Sequence, residues 1–131
     1  MLDKTQLLAA KPDIERVDLP ELGPDAFVFV RGLTGAERDL FETSMLKDDG
    51  TGLDPARRGN IRARIAVLTA CDETGERIFA SADLKDVTAM RADVLDRITA
   101  TAQRLSGMAP AAVDQLGKDS ASEANGSSGI N

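Results

Sequence analysis

The run Ala26-Phe27-Val28-Phe29-Val30 constrains this chain more than any other stretch. It is β-branched and aromatic, bounded by Pro24 on one side and Gly32 on the other, and it is apolar on both faces of a strand. Successive strand side chains point to opposite sides, so Phe27 and Phe29 face one way and Val28 and Val30 the other. Just before it, Ile14-Glu15-Arg16-Val17-Asp18-Leu19 alternates, with Val17 and Leu19 on one face and Arg16 and Asp18 on the other. Pro20, Gly23 and Pro24 break the chain between the two runs, and the whole of 14–31 reads as a β-hairpin. A lone hairpin is marginal in water, so helices must cover at least one side of it. Its second apolar face then has two destinations. Either it is enclosed between helices of the same chain, or that face or the strand edge is covered by a partner or another copy.

The remaining sequence reads as helices and turns. Residues 3–10 form a short helix, with Asp3 as cap, Gln6 bonding back to it, and Pro12 as stop. Thr34-Gly35-Ala36-Glu37 is a capping box that opens a helix carrying Leu40, Phe41 and Met45. Asp48-Asp49-Gly50-Thr51-Gly52 is a polar loop, and Asp54-Pro55 restarts a helix. Ile61, Ile65 and Leu68 recur along it at i, i+4, i+7, and Cys71 continues the stripe one turn later. Residues 72–76 form a turn, and Ile78-Phe79 a short extended apolar anchor. Ser81 caps the next helical region, whose stripe of Leu84, Val87, Val94, Leu95, Ile98, Ala102 and Leu105 runs to a stop at Gly107. Periodicity leaves open whether Thr88 divides that region in two. Pro110 opens a last short helix with Val113 and Leu116, after which Gly, Ser, Asn and Ala dominate. These patterns predict an α+β fold, an N-terminal β-hairpin packed on a bundle of four or five helices. One globular domain covers residues 1–118, and a disordered tail covers 119–131.

Composition removes most chemistry. With no His, neither Ser-His-Asp nor Cys-His catalysis can be assembled, and a single cysteine, Cys71, rules out a Cys-rich zinc site and an internal disulfide. The glycine-containing segments lack the phosphate-loop pattern, and the acidic loop at 48–54 lacks the ligand order of a calcium site. Neither an enzyme, a cofactor nor a metal is expected. The formal charge is −6, and only 3% of residues are aromatic, which argues against nucleic acid. No apolar run approaches the roughly 18 residues needed to cross a bilayer, and the N-terminus lacks a signal-peptide layout. A reducing cytosol fits the single cysteine.

What is left is binding. Arg57, Arg58, Arg62 and Arg64 form the one concentrated basic feature, readable as a solvated helix face or as a contact for an acidic partner or neighbouring subunit. Together with the two-sided strand, this nominates Phe27, Val28, Phe29, Val30, Arg31, Arg62 and Arg64 as partner-binding residues.

The order of these pieces resembles a known family. Val28-Phe29-Val30-Arg31-Gly32-Leu33-Thr34-Gly35-Ala36-Glu37-Arg38-Asp39 looks like the strand-to-helix signature of phage tail assembly chaperones. Asn60-Ile61-Arg62-Ala63-Arg64 resembles their middle-helix motif. Asp72-Glu73-Thr74-Gly75-Glu76-Arg77-Ile78-Phe79 followed by Ser81-Ala82-Asp83-Leu84 resembles their turn-then-cap segment. Leu95-Asp96-Arg97-Ile98 with Ala102-Gln103-Arg104-Leu105-Ser106-Gly107-Met108 resembles their last helix and its stop. The resemblance implies a non-enzymatic protein of the host bacterial cytoplasm, absent from the mature virion. It would bind the tape-measure protein, keep it soluble and promote gathering of tail-tube subunits around it, with self-association as a further option. It also implies a ribosomal frameshift near the end of the gene. Leu116-Gly117-Lys118 is compatible with a slippery heptamer, and 119–131 would then be the tail of the unshifted product. The competing reading is a structural subunit of the phage, a head–tail completion or tail-terminator protein. A third is an adaptor of nucleic-acid transactions, supported by the arginines alone.

Overall fold

The computed structural model describes residues 1–108. The chain begins with helix α1 (Lys4–Ala9), then strand β1 (Ile14–Asp18), a 3₁₀ turn at Pro20–Leu22 and strand β2 (Phe27–Arg31). Helix α2 (Gly35–Ser44), a 3₁₀ turn at Pro55–Asn60, helix α3 (Ile61–Thr69) and strand β3 (Ala70–Cys71) come next. A 3₁₀ turn at Ser81–Asp83 leads into helix α4 (Leu84–Thr88), and helix α5 (Ala92–Leu105) closes the described chain. The α+β architecture expected from the hydrophobic patterning is present. The last short helix at Pro110, the tail at 119–131 and the domain end at 118 lie outside the described residues.

The hairpin is antiparallel as expected, with Ile14 opposite Arg31, Arg16 opposite Phe29 and Val17 opposite Val28. It is two thirds of a sheet whose order is β1-β2-β3, because β3 adds to β2 with Cys71 opposite Phe29 and Ala70 opposite Val30. Residues paired across an antiparallel ladder project to the same side. The inner face therefore carries Glu15, Val17, Val28, Val30 and Ala70, and the outer face carries Ile14, Arg16, Asp18, Phe27, Phe29, Arg31 and Cys71. The inner face joins the core formed by Phe41, Met45, Ile65, Val94 and Ile98, with α5 lying across β1 and β2 and α3 packed on α5.

Three sequence expectations are corrected. Cys71 does not extend the α3 stripe: the helix ends at Thr69, and Ala70 turns extended at φ −66, ψ 126. The backbone of 70–71 is satisfied instead by β2 and by Ile78 N donating to Ala70 O at 3.1 Å. A short apolar run fits helix and strand equally by periodicity, and the open edge of β2 decides between them. Asp54 does cap the chain restart, its Oδ1 accepting from Ala56 N at 2.9 Å, but the segment it opens is a 3₁₀ turn, not α-helix. Gly59 and Asn60, both poor helix formers, delay the α-helix until Ile61. Ser81 is inside its turn, and the cap is made by Asp83, whose Oδ2 accepts from Ala80 N at 2.8 Å.

The question left open at Thr88 is answered: α4 and α5 are separate, divided by Ala89–Arg91 with Arg91 at ψ 134. The stop at Gly107 is as expected. Gly107 sits at φ +70, its N donates to Arg104 O, and Met108 N reaches back to Gln103 O at 2.9 Å, which is the Schellman pattern. This turn brings Ser106 against the exit of β2, where its Oγ accepts from Leu33 N at 2.9 Å. Gly32 is required there, because a Cβ at that position would lie 2.6 Å from Leu105 O.

Candidate binding surfaces

The seven nominated residues fall into three groups. Val30 is 0% exposed and Val28 is half-buried beside it, so the core itself takes up the inner-face pair. On the outer face Phe27 is 46% exposed, and its ring meets that of Phe29 edge to face at 5.6 Å. The Arg16 guanidinium lies over Phe27 at 3.9 Å from the ring centre. The hairpin thus answers the question of its two apolar faces by splitting them. One face is enclosed; the other presents an aromatic patch to solvent.

Arg31 shares that outer face, but its guanidinium is already occupied. It forms a two-pronged pair with Glu37 at 2.6 and 2.7 Å and donates to Gly75 O at 2.9 Å and Gly32 O at 3.1 Å. Burial pushes the Glu37 carboxyl up, yet the hydrogen bonds from Arg31 and Thr34 outweigh it and hold the group below the usual carboxylate range. The same Glu37 completes the capping box of α2, with Thr34 N donating to Oε1 at 3.0 Å. The sequence reveals the box but not that the ion pair and the box share one carboxylate.

Arg62 and Arg64 belong to α3, a layer away from the phenylalanines, so the structure does not gather the seven into one site. Arg62 is exposed and pairs with Asp96 of α5 at 2.7 Å. Arg64 is half-buried and donates to Asn60 Oδ1 at 2.8 Å. Burial lowers its pKa, and nearby Arg57 adds to the effect against the opposing pull of Asp54. It lines a cavity of about 220 Å³ with Leu40, Phe41, Leu68 and Leu84, between α2, α3 and the start of α4. Sequence patterning misses this groove, because Leu40 sits beside Phe41 on the apolar stripe of α2 and looks like core, yet it is 54% exposed. It also misses that α1 contributes nothing to the core among the described residues: none of its residues is buried.

Among the described residues no group of three His, Cys, Asp or Glu side chains could hold a metal ion, and no helix is long and apolar enough to cross a membrane. Cys71 is buried, and burial raises its thiol pKa against a smaller opposing pull from Arg31.

These features define a small α+β module: a three-stranded sheet with helices over one face and aromatics on the other. A solved structure with the same fold is the bacteriophage HK97 tail assembly chaperone, with a TM-score of 0.55 and 19% sequence identity over 77% of this chain and 94% of that one. No protein-family model and no curated protein matches the chain.

Proposed function

We propose that this protein is a tail assembly chaperone of a long-tailed bacteriophage. It binds the tape-measure protein in the host cytoplasm, keeps it soluble and promotes assembly of tail-tube subunits around it. The observation that carries this reading is the fold shared with the HK97 chaperone over most of both chains. The exposed Phe27–Phe29 patch supports it physically. A long amphipathic client exposes apolar stripes that aggregate unless covered, and an aromatic patch beside the Arg16 cation covers such a stripe reversibly.

Co-expression with the phage's tape-measure protein is expected to move that protein from the pellet to the soluble fraction, and the two co-purify. Phe27→Asp, at an exposed position, leaves the fold intact and weakens the complex about tenfold or more. A tape-measure protein that stays insoluble in the presence of this chain refutes the reading. Stoichiometric copies in purified virions favour the structural-subunit alternative instead.

The same reading includes a second, longer product made by frameshifting at codons 116–118, which encode Leu116-Gly117-Lys118. The nucleotide sequence is expected to read G-GGA-AAG or an equivalent there, with the minus-one frame open for a further domain. Codons that cannot slip, or a frame that closes within a few codons, remove this part of the proposal.

A further inference from the structure

Helix α1 is well formed, yet none of its residues is buried among the described residues. Asp3 Oδ1 accepts from Gln6 N at 2.8 Å and Gln6 Oε1 accepts from Asp3 N at 3.0 Å, so a complete capping box closes its N-terminus. Yet it has only six residues, far below the roughly 12–15 at which an isolated helix holds together in water. Its leucines face solvent, Leu7 at 59% and Leu8 at 75% exposure. A capped, short, leucine-bearing helix with no buried residue is built to lie against something.

The groove between α2, α3 and α4 has the opposite defect. Its walls are apolar, with Leu40 and Leu84 at the rim and Phe41 and Leu68 on the floor. Arg64 enters it half-buried, with one hydrogen bond to a neutral amide and, among the described residues, no carboxylate at ion-pair distance. A charge partly withdrawn from water, with Asp54 near but not at ion-pair distance, favours an occupant that brings a closer carboxylate. The groove therefore selects an aliphatic helix face carrying a carboxylate.

The chain contains that face. Asp3 and Leu7 are four residues apart and lie one turn apart on the same side, with Leu8 next to them. We infer that α1 of one copy docks in the Leu40–Leu84 groove of a second copy. Leu7 and Leu8 seat on the apolar walls, and the Asp3 carboxylate lies over Arg64. Reciprocal exchange covers both grooves and both helices and closes a twofold dimer, whereas a one-way contact would propagate into chains. The buried surface is small, so the dimer forms in the micromolar range or weaker. This inference does not depend on the chaperone function.

The test uses the full chain of 131 residues with any tag placed after Asn131, away from α1. Sedimentation across micromolar to millimolar concentrations is expected to show a monomer–dimer equilibrium. Leu7→Lys with Leu8→Lys changes only exposed positions, keeps the circular dichroism spectrum, and weakens dimerisation at least about tenfold. Asp3→Asn, which keeps the cap and removes the charge, weakens it as well, and Arg64→Glu weakens it by facing Asp3 with a like charge. Should Arg64→Glu fail to fold, Leu8→Cys with Leu40→Cys supplies the independent measurement, forming under oxidation a disulfide between two chains. A chain that is monomeric at every concentration overturns the inference. So does dimerisation indifferent to Leu7 and Leu8, or a Leu8→Cys, Leu40→Cys disulfide that forms within one chain. A monomer that still keeps the tape-measure protein soluble overturns the dimer and leaves the proposed function standing.

Discussion

Val30→Lys unfolds the domain, whereas Phe27→Lys, three residues earlier on the same strand, leaves its helical content intact. The two positions lie on opposite faces of the sheet. Val30 is 0% exposed, sits opposite the equally buried Ala70 and is enclosed with Val17 and the helical core. A lysine there is an unpaired ammonium in an apolar interior, which costs several kcal/mol against a total stability of about 5–15 kcal/mol for a domain of this size. At Phe27 the ammonium stays in water. The loss is the edge-to-face contact with Phe29 and the stacking of Arg16, about 1 kcal/mol or less each. Circular dichroism and thermal melting read both outcomes. A cooperatively folded Val30→Lys variant would mean that the inner face of β2 is open, and the assignment of the two faces would be wrong.

That contrast also separates the parts of the fold that are legible in the sequence from those that are not. The strand, its partner and the alternation are legible, because period-two patterning between proline and glycine breaks has few other meanings. The capping boxes at Asp3 and Thr34 and the stop at Gly107 are legible because each is a local chemical fit between a side chain or a glycine and unpaired backbone groups. The illegible parts depend on contacts distant in sequence. Strand β3 is two residues long and carries no pattern of its own; it exists because β2 offers an edge to Ala70 and Cys71. Which face of β2 is enclosed depends on where α5 lies. Arg64 and Leu40 are 24 positions apart, and only the packing of α2 on α3 and α4 puts them in one groove. Arg31 reads as a partner contact because it ends an apolar strand, and no local signal announces that Glu37 and the carbonyl of Gly75 occupy it.

Arg31→Ala is expected to be the most damaging substitution outside the apolar core. The guanidinium ties together three pieces of chain: the end of β2 through Gly32 O, the turn after β3 through Gly75 O, and the first turn of α2 through both oxygens of Glu37. Both side chains are largely shielded, at 12% and 17% exposure, so truncating one leaves the other's charge poorly solvated and two carbonyls without their donor. The cost is about 2–4 kcal/mol, a melting temperature lower by roughly 10–20 °C. Arg31→Lys recovers little of it, because an ammonium cannot hold a carboxylate in two prongs while donating to two carbonyls. The pH dependence separates this account from a simple packing defect. Glu37 is held below its ordinary value of 4.5, so its contribution is fully present above that pH and is lost as pH falls through the lower folded value. In the Arg31→Ala variant only the Thr34 bonds oppose burial, and the carboxyl moves back up. The gap in melting temperature between wild type and variant is therefore expected to be widest near neutrality and to narrow steadily below about pH 4.5. Thermal melts of both proteins from pH 7 to pH 3 measure it. A gap that stays constant across that range would show that Arg31 stabilises the domain by bulk alone, with its charge irrelevant to the junction of β2, α2 and the turn at Gly75.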